Sequence, residues 1–137
     1  MRVVVDANIL ISFLLTHGPT ISEMLRRWKN HQFTLLTSEE ILVEIKQTIE
    51  RFVMGNLIAS EEAESLIRRV VQESEIITSL STVTVSHNKK DNRYLECSRD
   101  GNADLLVTGD KKHLLGIKKF GKTKIISPRE FVKLLSG

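Results

Sequence analysis

The sequence predicts an α/β protein wound around a central, mostly parallel sheet, and three observations carry that expectation. Short apolar, β-branched runs recur at Val3–Val5, Phe33–Leu36, Leu105–Thr108 and Lys124–Ser127. Segments with helical spacing separate them, and this alternation is what builds parallel sheets. Two of the runs end in acid, Asp6 in MRVVVDAN and Asp110 in ADLLVTGD. Parallel strands bring their carboxyl ends to one edge of the sheet, where such folds bind ligands, so the chain places two carboxylates at a binding edge.

The elements follow in order. Val3–Val5 reads as a short buried strand and NILISFLL as a helical segment, broken by Thr16-His-Gly-Pro-Thr20. Pro19 suits the first turn of the next helix, whose Ile21, Leu25 and Trp28 recur at helical spacing. After the strand at Phe33–Leu36, Thr37 and Glu40 have capping-box spacing and open a helix to about Phe52, with Ile41, Ile45, Ile49 and Phe52 as its core stripe. Ser60 opens another helix with Leu66, Ile67, Val70 and Val71 inward, and Ile76–Val85 reads as a strand region. A helix from Asn88 to about Arg99 stops at Gly101-Asn102. The strand Leu105–Thr108, a short helix Lys111–Leu115, the strand Lys124–Ser127 and a terminal helix from Pro128 complete the chain.

A chain of 137 residues, 41% hydrophobic and 27% charged, is the size and composition of one globular domain with a real core. No linker, repeat or low-complexity tract divides it, so a single domain over residues 1–137 is expected. No apolar run approaches the roughly 20 residues that span a bilayer. The N-terminus enters its strand too early for a signal peptide. The lone Cys97 excludes an internal disulfide framework and fits a reducing, cytoplasmic setting. Within a helical pattern it reads as a small core residue.

Charge is unevenly placed. Residues 1–88 hold 8 Lys/Arg against 11 Asp/Glu, whereas residues 89–124 hold 10 against 5. The basic stretch contains Lys89, Lys90, Arg93, Lys111 and Lys112, which are candidates to hold a phosphate backbone. A plain solvated surface explains the same charges equally well.

Each acid has an ordinary reading beside its functional one. Asp6 and Asp110 both precede helical segments and suit N-caps. At about 100° per residue, Glu44 lies beside Ile41, Ile45 and Thr48 on the border of the buried stripe, while Glu39 points away and Glu40 serves the capping box. Asp91 is in the first turn of its helix, where the dipole favours an acid. It also shares a face with Tyr94, Leu95 and Ser98 that should pack on the sheet, and a buried carboxylate needs a partner. Asp104 opens the strand that Asp110 closes, so it belongs at the opposite end and reads as structural or supporting. Carboxylates without His or Cys partners suit Mg²⁺ or Mn²⁺ rather than zinc. His17, His31, His87 and His113 are scattered and read as surface residues.

VVVDANILIS, Glu44 in the helix after the second strand, KKDNRYLECSRDGNADLLVTGD and the following KKHLL together resemble a PIN domain, in particular the VapC-like toxins of prokaryotic toxin–antitoxin modules. The resemblance runs across nearly the whole chain in the same order. It implies a three-layer α/β/α nuclease that cuts single-stranded RNA with Mg²⁺ or Mn²⁺. Carried over residue by residue, the catalytic and metal-binding acids fall on Asp6, Glu44, Asp91 and Asp110. Asn8 matches the polar position after the first acid, Thr108 the hydroxyl position before the last, and Asp104 a supporting acid of a subfamily. An antitoxin that blocks the acidic cleft and a homodimer are further implications.

Rival readings fare less well. A haloacid-dehalogenase-type phosphatase wants a second acid where Asn8 stands, and a receiver domain wants an acid pair near its first strand. No G-x-G-x-x-G follows that strand, which leaves a dinucleotide site unsupported. A non-catalytic RNA- or protein-binding module with the same fold is the alternative of a different class.

Overall fold

The computed structural model describes residues 1–78, 89–110 and 112–137. Strand β1 (Arg2–Val5) lies at the middle of the sheet, with Val3, Val4 and Val5 all buried. Burial on both faces explains its unbroken apolar run. Helix α1 (Ala7–Thr16) follows at once and ends at His17, whose φ of 51° sets the left-handed turn. Gly18 and Pro19 then restart the chain as α2 (Pro19–Lys29), and Met24, Leu25 and Trp28 bury its inner face.

Strand β2 (Thr34–Ser38) runs further than its apolar residues suggest, because Thr37 and Ser38 pair with Ile76 and Ile77 of β3 (Glu75–Ile77). The expected capping box of Thr37 and Glu40 is therefore displaced. Ser38 caps α3 (Glu39–Met54) instead, its hydroxyl accepting the Ile41 N–H at 3.3 Å. In α4 (Ser60–Glu73) the buried residues are Ala63, Leu66 and Val70. Val71, expected inward, is 41% exposed, since it lies about 100° around the helix from Val70. The strand expected over Ile76–Val85 is observed through Ile77, and its part beyond Thr78 lies outside the described residues.

Helix α5 (Lys89–Asp100) ends against the sheet. A Cβ on Gly101 would lie 2.8 Å from the Cys97 carbonyl oxygen and 3.0 Å from side-chain carbons of Leu36 and Ile77, so only glycine allows this approach. Asn88, the expected start of α5, lies outside the described residues. After β4 (Leu105–Val107), the helix expected at Lys111–Leu115 is replaced by turns and a single 3-10 turn at Leu115–Ile117. The Leu115 N–H reaches back to the Asp110 carbonyl at 2.9 Å, and Lys118 at φ 65° turns the chain away before a helix can continue. A short strand missed in the sequence, β5 (Lys119–Phe120), then forms an antiparallel hairpin with β6 (Thr123–Ile126) about Gly121 at φ 60°. Helix α6 (Pro128–Ser136) closes the chain.

The sheet order is β3-β2-β1-β4-β6-β5, parallel except for β5. From β1 the chain winds outward through β2 to β3, then crosses back through α5 to β4. Parallel crossovers are right-handed as a rule, which assigns α1–α4 to one face and α5 to the other and makes three layers. The reversal falls between β1 and β4, so the carboxyl ends of these neighbouring strands form the topological switch point. Among the described residues no helix is long and apolar enough to cross a membrane.

Candidate metal centre

Asp6 leaves β1 at the switch point and is buried. One carboxylate oxygen caps α1 by accepting the Asn8 N–H at 3.0 Å. The other accepts the Thr108 hydroxyl at 2.8 Å from the end of β4. Capping and membership of an acidic cluster are thus compatible, because the two oxygens divide the work. The Thr108 oxygen in turn accepts the Asp110 N–H at 3.0 Å, which ties both strand-end acids to one hydroxyl.

Asp110 repeats the division. Its Oδ1 accepts the His113 N–H at 3.0 Å, and its Oδ2 lies 3.4 Å from His113 Nδ1. The same imidazole nitrogen lies 3.8 Å from Asp91 Oδ2. Asp91, on the first turn of α5, is 5% exposed, and its Oδ2 is buried without a hydrogen-bond partner among the described residues. One ligand atom each from Asp91, Asp110 and His113 falls within a mutual 4.8 Å. His113 therefore departs from the surface reading, whereas His17 and His31 are exposed and His87 lies outside the described residues.

Glu44 reaches the cluster from α3 and is half-buried. The Tyr94 hydroxyl donates to Glu44 Oε1 and accepts the Ala7 N–H at 3.2 Å, so it links α3, α5 and the start of α1. Tyr94 is buried, and burial beside Asp6 and Glu44 pushes its phenol well above the usual range. Sequence reasoning missed Tyr94 as a site residue. The available signal was its place three residues after Asp91, on the same helix face.

Asp6 and Glu44 lie outside the 4.8 Å group but near enough for their charges to bear on Asp91. Burial raises the Asp91 carboxyl above the ordinary range, and the nearby Asp110, Asp6 and Glu44 charges add to this against the opposing effect of His113. Asp6 is raised by burial and by Glu44, against the hydrogen bonds from Asn8 and Thr108. Like charges held in a buried cluster are costly unless they are protonated or share a cation. The unpartnered Asp91 oxygen and the mutual repulsion fit a divalent ion, and a donor set dominated by carboxylates fits a hard one.

The remaining candidates separate. Asn8 is exposed and lines a groove with Asp6, Ser12, Ile21, Gly109 and Asp110. Asp104 lies at the amino end of β4, where it accepts the Arg2 backbone N–H at 2.8 Å and faces Lys122 Nζ at 3.6 Å. It does not support the cluster, because a parallel strand keeps its two ends on opposite edges. Arg93 is ion-paired with Glu40 at 3.6 Å. Lys112 is exposed just past Asp110. Lys111 and the side chains of Lys89 and Lys90 lie outside the described residues. Cys97 is buried, and burial pushes its thiol up to about 12, as suits an inert core residue.

These features define an α/β protein whose parallel sheet gathers a carboxylate cluster, fit for a cation, at its switch point. The chain belongs to the PIN domain family, whose profile matches residues 2–112. PIN domains are generally nucleases and usually use divalent metals. The crystal structure of PAE2754 from Pyrobaculum aerophilum is similar over 99% of this chain and 90% of that one, with a TM-score of 0.65 and 15% sequence identity, a likeness of fold. No curated protein matches the sequence.

Proposed function

We propose that this chain is a Mg²⁺- or Mn²⁺-dependent endoribonuclease that hydrolyses phosphodiester bonds of single-stranded RNA, and that it is the toxin of a toxin–antitoxin pair. The observation that carries the reading is the buried, unpartnered Asp91 oxygen set among three other acids. Asp6, Glu44, Asp91 and Asp110 would hold the metal. A bound ion would supply Lewis acidity, polarising a phosphodiester oxygen of the substrate and lowering the pKa of a water. Thr108 fixes the Asp6 carboxylate and the Asp110 backbone, and Tyr94 fixes Glu44. The groove lined by Asn8 and Asp110 would take the single strand, and the exposed Lys112, two residues past Asp110, would contact its backbone. An antitoxin would act by covering this acidic cleft, in the cytoplasm and on a homodimeric toxin.

The test is cleavage of several single-stranded RNAs by purified protein with Mg²⁺ or Mn²⁺, beside Asp6→Asn. Metal-dependent cutting by the wild type and its loss in the variant are expected. Equal behaviour of the two proteins would favour a non-catalytic binding module instead.

A further inference from the structure

We propose that His113 is itself a ligand of the metal, supplying one imidazole nitrogen to an otherwise all-oxygen centre and favouring Mn²⁺ over Mg²⁺. The inference rests on reading the four acids as a metal centre, and it changes which ion that centre selects. His113 Nδ1 lies 3.4 Å from Asp110 Oδ2 and 3.8 Å from Asp91 Oδ2. Neighbouring donors on an ion with bonds of about 2.1 Å are roughly 3–4 Å apart, so these separations suit a shared cation. Asp91 Oδ2 is the second sign, being buried and without a hydrogen bond among the described residues although the ring nitrogen faces it.

The imidazole is held in place through its backbone. The His113 N–H is bound to Asp110 Oδ1, and the Asp110 N–H is bound to Thr108, which also holds Asp6. Replacement of the expected helix by a turn at residues 112–114 is what brings this ring to the edge of the sheet. A His–carboxylate–carboxylate set is a mixed donor site. Imidazole raises affinity for transition ions, whereas Mg²⁺ prefers oxygen and gives up water reluctantly.

The experiment is pulsed electron paramagnetic resonance on Mn²⁺-loaded protein, made with natural-abundance and with ¹⁵N-labelled histidine. Direct ¹⁴N coupling is expected in the unlabelled wild type, and it should convert to ¹⁵N coupling on labelling. In His113→Gln the coupling should vanish and Mn²⁺ affinity should fall roughly 10–100-fold, with a smaller loss for Mg²⁺. The labelled wild type needs no substitution, so the result does not depend on the variant folding. Mn²⁺ bound tightly without nitrogen coupling would overturn the role of His113 while leaving the carboxylate centre intact. Absence of Mn²⁺ binding would overturn both.

Discussion

The two edges of this sheet use the same residue types to opposite ends. At the amino edge, Asp104 accepts the Arg2 N–H and faces Lys122, while the Arg2 guanidinium pairs with Glu75. Each acid there has a cation, and the Arg2 hydrogen bond holds the Asp104 carboxyl below its ordinary range. At the carboxyl edge, Asp6, Glu44, Asp91 and Asp110 face one another, and burial raises Asp6 and Asp91. One edge pairs each of these acids with Lys or Arg, whereas at the other the acids meet His113 and, among the described residues, no Lys or Arg. Acidity alone does not mark a metal centre; clustered acids without a Lys or Arg partner among the described residues do.

Substitutions at the two edges should differ most in activity. Asp91→Asn removes the orphaned oxygen's charge and should cost several kcal/mol of transition-state stabilisation, on the order of 10³-fold in RNA cleavage rate. Tyr94→Phe should act less strongly, because the carboxylates remain while Glu44 loses its hydroxyl partner and the Ala7 N–H its acceptor. A stability loss of about 1–2 kcal/mol by denaturant unfolding and a roughly tenfold weaker Mn²⁺ affinity are expected. Asp104→Asn should leave cleavage within about twofold of wild type, since isolated surface changes have small effects. Strong loss of activity in Asp104→Asn would erase the contrast between the edges.

The edges should also respond to pH with opposite sign in metal-free protein. Asp6 and Asp91 have raised folded-state values, so the native state binds more protons, and their contribution falls as pH rises from the ordinary carboxylate range through those values. Asp104 has a lowered value, so its contribution is present above the ordinary carboxylate range and is lost as pH falls through the folded value. Thermal melts of wild type against Asp91→Asn should diverge at the high-pH side. Melts against Asp104→Asn should differ with the opposite sign above the ordinary carboxylate range, where the variant is the less stable, and converge in acid.

The contrast was partly legible in the sequence. Strand-end position placed Asp6 and Asp110 on one edge, and the same logic put Asp104 on the other. Helical spacing brought Glu44 and Asp91 inward. Three things escaped local pattern because they depend on contacts between distant segments. Ser38 rather than Thr37 caps α3, since pairing with β3 extends β2. Tyr94 works through a hydroxyl that bridges to residues 50 and 87 positions away in the chain. His113 reaches the cluster because a turn stands where helical pattern suggested a helix. The edge strand β5 has two residues, too few to leave a periodic signal.

The central claim is that the carboxyl edge is held open for a cation, and the melting temperature of metal-free protein with and without Mn²⁺ tests it most directly. At a hundredfold excess over the dissociation constant, wild type should gain about 2.7 kcal/mol, on the order of 8 °C, and Asp91→Asn should gain little. An unchanged melting temperature in wild type, or an equal gain in both proteins, would contradict the account.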